Sequence, residues 1–355
     1  MTTTTRPPVA DDALRLSHRR TLPRWAPWVA LAASLVVATG LLALGGTPGN
    51  VSVALLGALV YTVGFTAVSW VIEGRRHATN RFATTLVTAA FVAAMVPLVS
   101  LVLTVLKHGL AWMSVEFLTT DMVGVFGAME SGGVYHAIIG TLLITFWAAV
   151  ISVPIGILTA VYLVEYGRGA LARGITFLVD VMTGIPSIVA GLFAFALFTL
   201  IFGPAYRAGI MGAVALALLM TPVVVRSVEE MLRLVPNELR EAALALGVPT
   251  WLMIVKVVLR TAVAGIVTGV MLAVARVIGE TAPLLLTVGY VAQVNTDVFD
   301  GRMTTLPVYV YREYSQGGVG IERAWAAALV LIVLVMLLNL VARLVSRIFA
   351  PKVAP

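Results

Sequence analysis

The sequence has 355 residues, 60% of them hydrophobic and 12% charged, with a mean hydropathy of +1.01. A chain this apolar is not a soluble globular protein, and we predict an all-α polytopic membrane protein. The absence of cysteine excludes disulfides, thiolate metal sites and cysteine catalysis, and the four histidines show no metal-ligand spacing.

The N-terminal region combines a polar tail with two apolar runs. Residues 1–25 contain five arginines and are predicted to form a cytoplasmic tail. A cleaved signal peptide is the alternative, but the run from Ala26 to Gly45 has about 20 residues, longer than a signal-peptide core of about 7 to 15. Val51 to Ile72 returns across the bilayer. Residues 26–82 therefore predict an additional N-terminal transmembrane hairpin followed by a basic loop.

Six further apolar segments follow, which gives about eight spans and places both termini on the same side of the membrane. They are residues 83–106, 134–164, 175–202, 209–225, 261–289 and 325–347. With the N-terminus in the cytoplasm, 18 of the 24 lysines and arginines fall on the cytoplasmic side. This positive-inside bias supports the orientation and explains the net charge of +7 without nucleic acid.

The fifth span contains a charged residue and a predicted bend. Asp180 lies about 8 Å from the inner end of the span and is expected to be interfacial, with no need of a partner. Gly184 and Pro186 free backbone groups, which membrane helices accept where the irregularity is buried or lines a cavity. A moving pivot and a static kink both fit this pattern.

A charged loop at residues 226–260 interrupts the apolar sequence on the cytoplasmic side. Pro236 suits a helix start, Glu238 and Glu241 suit its positive end, and Gly247 suits its termination, which predicts a helix of about ten residues. One face of this helix carries Leu239, Ala242, Ala243 and Leu246. The pattern indicates a surface that docks into a groove of a soluble partner, and an interfacial helix without a partner is the alternative.

Two charges fall inside the seventh predicted span, where each must face protein or water. On one continuous helix, a single arc of about 80° would hold both charges and a set of small residues. The arc consists of Gly265, Gly269, Ala273, Arg276, Glu280 and Pro283. The charges could neutralise each other and fasten helices together. Alternatively, Arg276 presents its guanidinium to an oxyanion crossing the membrane while Glu280 holds it in position.

The longer outer segments, residues 107–133 and 290–324, are acidic. They contain Glu116, Asp121, Glu130, Asp297, Asp300, Glu313 and Glu322. These residues either face a partner or form solvated loops.

Several motifs resemble those of ABC importer permeases. Glu241-Ala242-Ala243 followed by Gly247 is similar to the EAA motif, although Arg260 stands where the family pattern has a proline. The stretch Arg276-Val-Ile-Gly-Glu-Thr-Ala-Pro-Leu-Leu285 resembles the PstA permeases of bacterial phosphate-specific importers. Over about residues 83–350 three more segments agree: Gly132-Gly133 through Gly140-Thr141-Leu142, Thr183-Gly-Ile-Pro-Ser187, and Leu306-Pro307 with Tyr309 and Tyr311.

The resemblance implies a subunit of a type I importer in the bacterial inner membrane. Its six-helix permease core would occupy residues 83–350, with the EAA coupling loop at 226–260 and the N-terminal hairpin as an addition. The implied partners are a PstC-like permease, two copies of a PstB-like ATPase that uses ATP and Mg, and an extracytoplasmic PstS-like phosphate-binding protein. No cofactor is expected on this chain, which has no GxxxxGK[ST] loop.

The resemblance also implies a role for individual residues. Those expected in the substrate pathway are Arg276, Glu280 and Thr281, those expected to couple to the ATPase are Glu241, Ala242, Ala243 and Gly247, and those expected to bend or pivot a helix are Gly184 and Pro186.

Three alternatives stay open at this point. An arginine in the pathway would also suit sulfate, molybdate or tungstate. A proton-coupled transporter would need a titratable relay, for which Asp180 and Glu280 are a sparse set. A membrane signalling or scaffold subunit would use the cytoplasmic loop to hold a regulatory protein.

Overall fold

The computed structural model describes residues 22–46, 49–126 and 129–349, with side chains described as far as residue 344. Most of the predicted tail lies outside these residues. Within the described ranges the regular structure is helical, and seven helices are long and apolar enough to cross a membrane. The number becomes eight if a sharply bent helix pair counts as one span, in agreement with the predicted number. The chain divides into two compact units between Val102 and Leu103.

The first unit contains the predicted hairpin. Helices α1 (Ala26–Ala43) and α2 (Asn50–Glu73) pack together, and a Cβ at Gly57 would lie only 2.9 Å from Leu35 Cδ2. Helix α3 (Arg75–Trp112) follows after a single residue, Gly74, whose φ is +90°. Gly74 alone forms the turn between α2 and α3, because glycine adopts a positive φ at little cost. The basic stretch predicted as a loop is therefore helical from Arg75 onwards.

A buried carboxylate closes one end of the α2–α3 turn. Glu73, which is 2% exposed, accepts hydrogen bonds from Ser69 Oγ at 2.7 Å and from the backbone N–H of Leu22 at 2.8 Å. Arg81 donates to both carboxylate oxygens, from Nε at 2.6 Å and from its terminal nitrogen at 2.8 Å. These four bonds compensate for the burial of the Glu73 carboxylate, which would be costly without partners. The bond from Leu22 also connects the chain that enters α1 to the end of α2.

The second unit is built around one buried helix. The end of α3 is followed by α4 (Val115–Thr119) and α5 (Tyr135–Val161), which continues into a π-helical turn, Tyr162–Tyr166. Next come α6 (Gly169–Thr183), α7 (Ser187–Phe202) and α8 (Gly209–Arg233). Helix α8 is the core, with Met220, Val224 and Val228 fully buried. Helix α5 approaches it at Gly156, where a Cβ would be 2.6 Å from Val224 Cγ1.

The remainder of the second unit contains the short helices of the charged loop and the last spans. Helices α9 (Asn237–Ala245) and α10 (Thr250–Met253) precede a π-helical turn, Ile254–Val258, and α11 (Leu259–Val277). Helices α12 (Ala282–Thr287), α13 (Leu306–Gln316) and α14 (Val319–Phe349) complete the chain. The predicted small-residue face of α11 packs on α8, since a Cβ at Gly269 would lie 2.6 Å from Ser227 Cβ.

A second core cluster surrounds α13, in a segment predicted to lie outside. Tyr309 is fully buried, and burial reinforced by the Glu313 carboxylate raises the pKa of its phenol, which therefore stays neutral at physiological pH. Glu313 is 0% exposed and accepts from Arg323 Nε at 2.7 Å. Arg323 also donates to the carbonyls of Met129 and Ser131. For Glu313 both sequence-based interpretations were wrong, because it is neither solvated nor available to a partner.

Candidate substrate site and coupling loop

The predicted bend in the fifth span is a sharp break. Helices α6 and α7 meet at an angle of 107°, across Gly184, Ile185 and Pro186. Proline disfavours helical geometry at the residue before it and contributes no N–H to the helix ladder, so α6 ends at Thr183 and a new helix begins at Ser187. The geometry of the bend agrees with the sequence, and its role as a pivot stays a prediction.

The seventh predicted span is also broken, whereas the arc drawn from the sequence assumed one continuous helix. Helix α11 ends at Val277, and Glu280 lies in the turn before α12, with its N–H donating to Val277 O at 3.1 Å. The cause is Pro283, which cannot donate to the carbonyl of Gly279 and would clash with it in a continuous helix. Arg276 and Glu280 are therefore not one turn apart on a single helix face, as the arc assumed.

The two breaks meet at one small cavity of about 180 Å³. Its lining joins the first bent segment to the second and to the middle of α8. The lining residues are Met182, Thr183, Ile185, Ser187, Leu219, Pro222, Val223, Arg276 and Glu280. This space is larger than one water molecule requires and is sufficient for a small tetrahedral ion.

The cavity offers donors suited to an anion. The side chains of Arg276 and Glu280 form no hydrogen bond or ion pair with each other or with another described residue, so they do not neutralise each other in this structure. Arg276 is exposed and Glu280 is half-buried. Ser187 begins α7, a helix of 16 residues, and the first N–H groups of a helix lack intrahelical partners and favour negative charge.

Thr281 and Glu280 differ in their positions. Thr281 stands directly before α12, and its carbonyl accepts from Leu284 N at 3.1 Å and from Leu285 N at 3.0 Å. It is not among the residues that line the cavity. The structure brings Arg276 and Glu280 to the cavity wall and leaves Thr281 beside it.

Two arginines and two carboxylates on α6 and α8 form a cluster that the sequence did not predict. Arg226 on α8 bonds the Asp180 carboxylate on α6 and donates to Glu229 Oε2 at 2.7 Å. Arg233 donates to Glu229 Oε1 at 2.5 Å. Asp180 therefore has a partner, contrary to expectation. The bonds of Glu229 to Arg226 and Arg233 have the i,i+3 and i,i+4 spacing of a helix. They would have been predictable if the sixth span had been extended to Arg233.

The predicted coupling helix is present and ends as the glycine signal indicated. Helix α9 has 9 residues, with Pro236 before its first residue. Gly247 has a φ of +78°, and its N–H donates to Leu244 O at 2.9 Å while Val248 N–H donates to Ala243 O at 3.2 Å. This pair of bonds is the Schellman arrangement, which favours glycine at that position.

The face predicted for docking is largely uncovered. Of its four residues only Ala243 is buried, at 8% exposure, whereas Leu239 is 42% exposed and Leu246 is 84% exposed. Glu241, Ala242 and Gly247 are also exposed. Three of the four motif residues therefore lie on an accessible surface of mixed apolar and acidic character, whereas Ala243 faces the protein interior.

Comparisons with known proteins agree on one family. A family model described as the binding-protein-dependent transport system inner membrane component matches residues 152–355. The phosphate transport system permease protein PstA 1 of Mycobacterium tuberculosis is 49% identical over 275 residues, which cover 76% of this chain and 90% of that protein. The PstA protein of Yersinia pestis is 39% identical over 279 residues, covering 78% of this chain and 92% of that protein.

A solved structure resembles the fold. A chain in the crystal structure of a bacterial alginate ABC transporter, in complex with an alginate pentasaccharide-bound periplasmic protein, matches with a TM-score of 0.53. Its sequence identity is 16%, and the match covers 76% of this chain and 95% of that chain. At this identity the likeness concerns the fold alone.

Proposed function

This chain belongs to the binding-protein-dependent transport system inner membrane components, within them to the PstA phosphate permeases, and we propose that it is the membrane permease subunit of an ATP-driven phosphate importer. The observation that carries the proposal is the meeting of two broken spans at one cavity lined by Arg276. Both breaks lie in the segments that resemble PstA permeases, Thr183 to Ser187 and Arg276 to Leu285.

Within the cavity, Arg276 is the proposed contact of the phosphate ion. A guanidinium forms two parallel charge-assisted hydrogen bonds to an oxyanion, and its charge is retained at all physiological pH values. The start of α7 at Ser187 adds backbone donors of the kind that bind phosphate. Glu280 faces the same space, and we assign it to limiting the affinity, because a phosphate held too strongly would not be released.

The exposed loop helix α9 is the proposed site of coupling. Glu241, Ala242 and Gly247 would contact a PstB-like ATPase, of which two copies would hydrolyse ATP with Mg, whereas Ala243, also expected at this contact, is buried and packs α9 against the core. A PstC-like permease would complete the pathway, and a PstS-like protein would deliver phosphate from outside. In this arrangement both termini of the chain and α9 lie in the cytoplasm. Gly184 and Pro186 would let α6 and α7 change angle as the pathway alternates.

Phosphate is favoured over other oxyanions by the relatives rather than by the cavity chemistry. A guanidinium also suits sulfate, molybdate and tungstate, so the choice needs a measurement. In proteoliposomes that contain the assembled complex and its binding protein, phosphate is expected to stimulate ATP hydrolysis and to be taken up, whereas sulfate is expected to do neither. Stimulation by sulfate alone would contradict the proposal.

The Arg276→Gln variant tests the assignment of the site. Loss of a charge-assisted hydrogen bond is expected to lower phosphate uptake by roughly 10- to 100-fold per assembled complex. Arg173→Gln is the matched control, because Arg173 is an exposed arginine on α6 outside the cavity. Uptake by the Arg276 variant at the rate of this control would remove Arg276 from the pathway.

A further inference from the structure

The coupling helix is tied to a membrane span by one side chain. Arg240 lies on α9, and its guanidinium donates to Glu165 at the end of the α5 span: Nε lies 3.2 Å from Oε1, and the nearest terminal nitrogen lies 2.8 Å from the same oxygen. The Arg240 side chain is 14% exposed and that of Glu165 is 6% exposed. The two residues are 75 positions apart in the sequence.

The same guanidinium also holds the end of α8. One terminal nitrogen donates to Val235 O at 2.5 Å and to Asn237 Oδ1 at 3.3 Å, and the other donates to Leu232 O at 2.9 Å. Together with the bonds to Glu165, all five N–H groups of the guanidinium have acceptors. Lysine has a compact ammonium group and could not occupy this set of positions at once.

Helix α9 has few other attachments to the membrane-spanning helices. Within the part of the chain that the structure describes, the side-chain hydrogen bonds that leave α9 all come from Arg240. Ala243 is the one α9 residue that is buried. A displacement of α9 therefore acts on α5 mainly through this guanidinium, which also holds the end of α8, a helix joined to α9 by residues 234–236.

Glu165 stands in a part of α5 that is suited to rearrangement. Residues Tyr162–Tyr166 form a π-helical turn, a geometry with longer hydrogen-bond spacing that is common at functional sites. The turn ends at Gly167, where a Cβ would lie 2.8 Å from Leu163 O, so the backbone requires a residue without a side chain. Above this turn α5 packs on α8 at Gly156 and Val224. Helix α8 in turn lines the cavity with Leu219, Pro222 and Val223.

We infer that Arg240 and Glu165 are positioning residues that transmit the movement of α9 to α5 and α8, so that ATP hydrolysis by the partner opens and closes the cavity. The inference rests on the proposed function, because it assumes that α9 receives the ATPase. Neither residue belongs to the EAA motif or touches the substrate cavity. Their contribution is to the ratio of phosphate transported to ATP hydrolysed.

The test compares Arg240→Gln, Glu165→Gln and the double variant as purified complexes in proteoliposomes, with the binding protein present. Each single variant is expected to retain ATP hydrolysis within about twofold while phosphate transported per ATP falls at least about fivefold, the lower end of typical coupling effects. The double variant is expected to be no worse than either single variant, because all three remove the same link. Arg240→Lys is expected to fall between these variants and the unaltered protein.

Arg168→Gln is the matched control, because Arg168 is an exposed arginine three positions beyond Glu165 whose side chain forms no hydrogen bond or ion pair with another described residue. An unchanged transport ratio, a parallel loss of uptake and ATP hydrolysis, or losses that multiply in the double variant would each overturn the inference. If Arg240→Gln does not assemble, Glu165→Gln decides the question, since it replaces one carboxylate oxygen. Absence of ATP-driven phosphate uptake by the unaltered complex would instead contradict the proposed function.

Discussion

At the scale of single residues, the charged side chains of the second unit perform different tasks. Arg226, Arg240 and Arg323 are each bonded to a carboxylate on another segment. Arg276 has no such partner among the described residues and lies at a cavity wall. An arginine without a carboxylate in a membrane protein is costly unless it serves a ligand or a water-filled path. This contrast is the physical reason for placing the substrate at Arg276.

Sequence reasoning identified Arg276 but could not identify the arginine pairs. A charge inside an apolar run is visible in the sequence, because both the charge and the run are local features of the chain. The pairs Arg226–Asp180 and Arg240–Glu165 join positions that are 46 and 75 residues apart, and no local spacing connects them. Nothing in the local sequence distinguishes Arg240 from a solvated charge, yet its side chain is only 14% exposed.

Replacement of Gly247, the glycine that ends α9, is expected to weaken docking of the ATPase. Its φ of +78° is left-handed, and a Cβ there would meet no atom within 4 Å, so the cost of Gly247→Ala is a pure backbone effect of about 1–2 kcal/mol. Distortion of the α9 end is expected to weaken binding of the ATPase roughly 5- to 30-fold, measured by copurification at limiting ATPase.

Gly174→Ala is the control for this glycine, since Gly174 lies within α6 with a φ outside the left-handed range and with open space around it. Alanine is favoured over glycine in a helix, so this variant is expected to bind the ATPase normally. Equal binding by both variants would show that the termination of α9 is unimportant for docking.

At the scale of helices, hydropathy located the spans and failed at their ends and breaks. Each predicted span has a counterpart because a bilayer demands about 20 apolar residues per crossing. The ends were predicted too short, since α3 begins at Arg75 and α8 continues to Arg233, beyond the apolar run. Backbone hydrogen bonding maintains a helix in water as well as in lipid, so charge does not mark its end.

The two breaks show which local signals were sufficient. At residues 184–186, a glycine and a proline within three positions predicted the bend that the structure contains. At the second break, residues 278–281, a glycine and a proline were also nearby, as Gly279 and Pro283, but the periodic arrangement of small and charged residues suggested one continuous helix. The missing N–H and the steric clash of Pro283 prevail over periodicity.

Contact between the two broken spans supplies a prediction at this scale. A Cβ at Gly191 on α7 would lie 2.6 Å from Pro283 Cα on α12, which is backbone and cannot move aside. Gly191→Ala is expected to push α7 from α12, to cost about 1–3 kcal/mol and to lower the melting temperature of the purified complex together with phosphate uptake.

Gly64→Ala is the corresponding control on α2, where an added Cβ would meet nothing within 4 Å. Its melting temperature is expected to match that of the unaltered protein or exceed it. If Gly191→Ala melts and transports like this control, the close packing of α7 on α12 is not required for the site.

At the scale of the whole molecule, the proposed transport cycle moves a helix outside the membrane and thereby changes a cavity within it. A polar helix, α9, is the proposed receiver, and the Arg240 link is the proposed route to α5 and α8. The cavity with Arg276 lies further along α8. Membership of the family establishes the kind of transporter. Coupling to a cytoplasmic ATPase requires, in addition, that α9 lies on the cytoplasmic side of the membrane.

The positive-inside bias, which concentrates arginine and lysine in the tail and around residues 226–260, predicts that α9 lies on the cytoplasmic side. It can be measured cleanly because the chain contains no cysteine. Leu246 is 84% exposed on the loop, and Ser315 is exposed on α13 in the segment predicted to face outward. Single cysteines at these two positions therefore report on opposite sides.

The most direct test is labelling of Leu246→Cys and Ser315→Cys with a membrane-impermeant thiol reagent. It is done in cells whose outer envelope is permeabilised while the inner membrane stays sealed, and in inverted vesicles of the inner membrane. The account predicts that Ser315→Cys reacts in the cells, and that Leu246→Cys reacts only in the vesicles. Reaction of Leu246→Cys in sealed cells would place α9 on the outer side, where no ATP-driven partner could act on it, and would contradict the account.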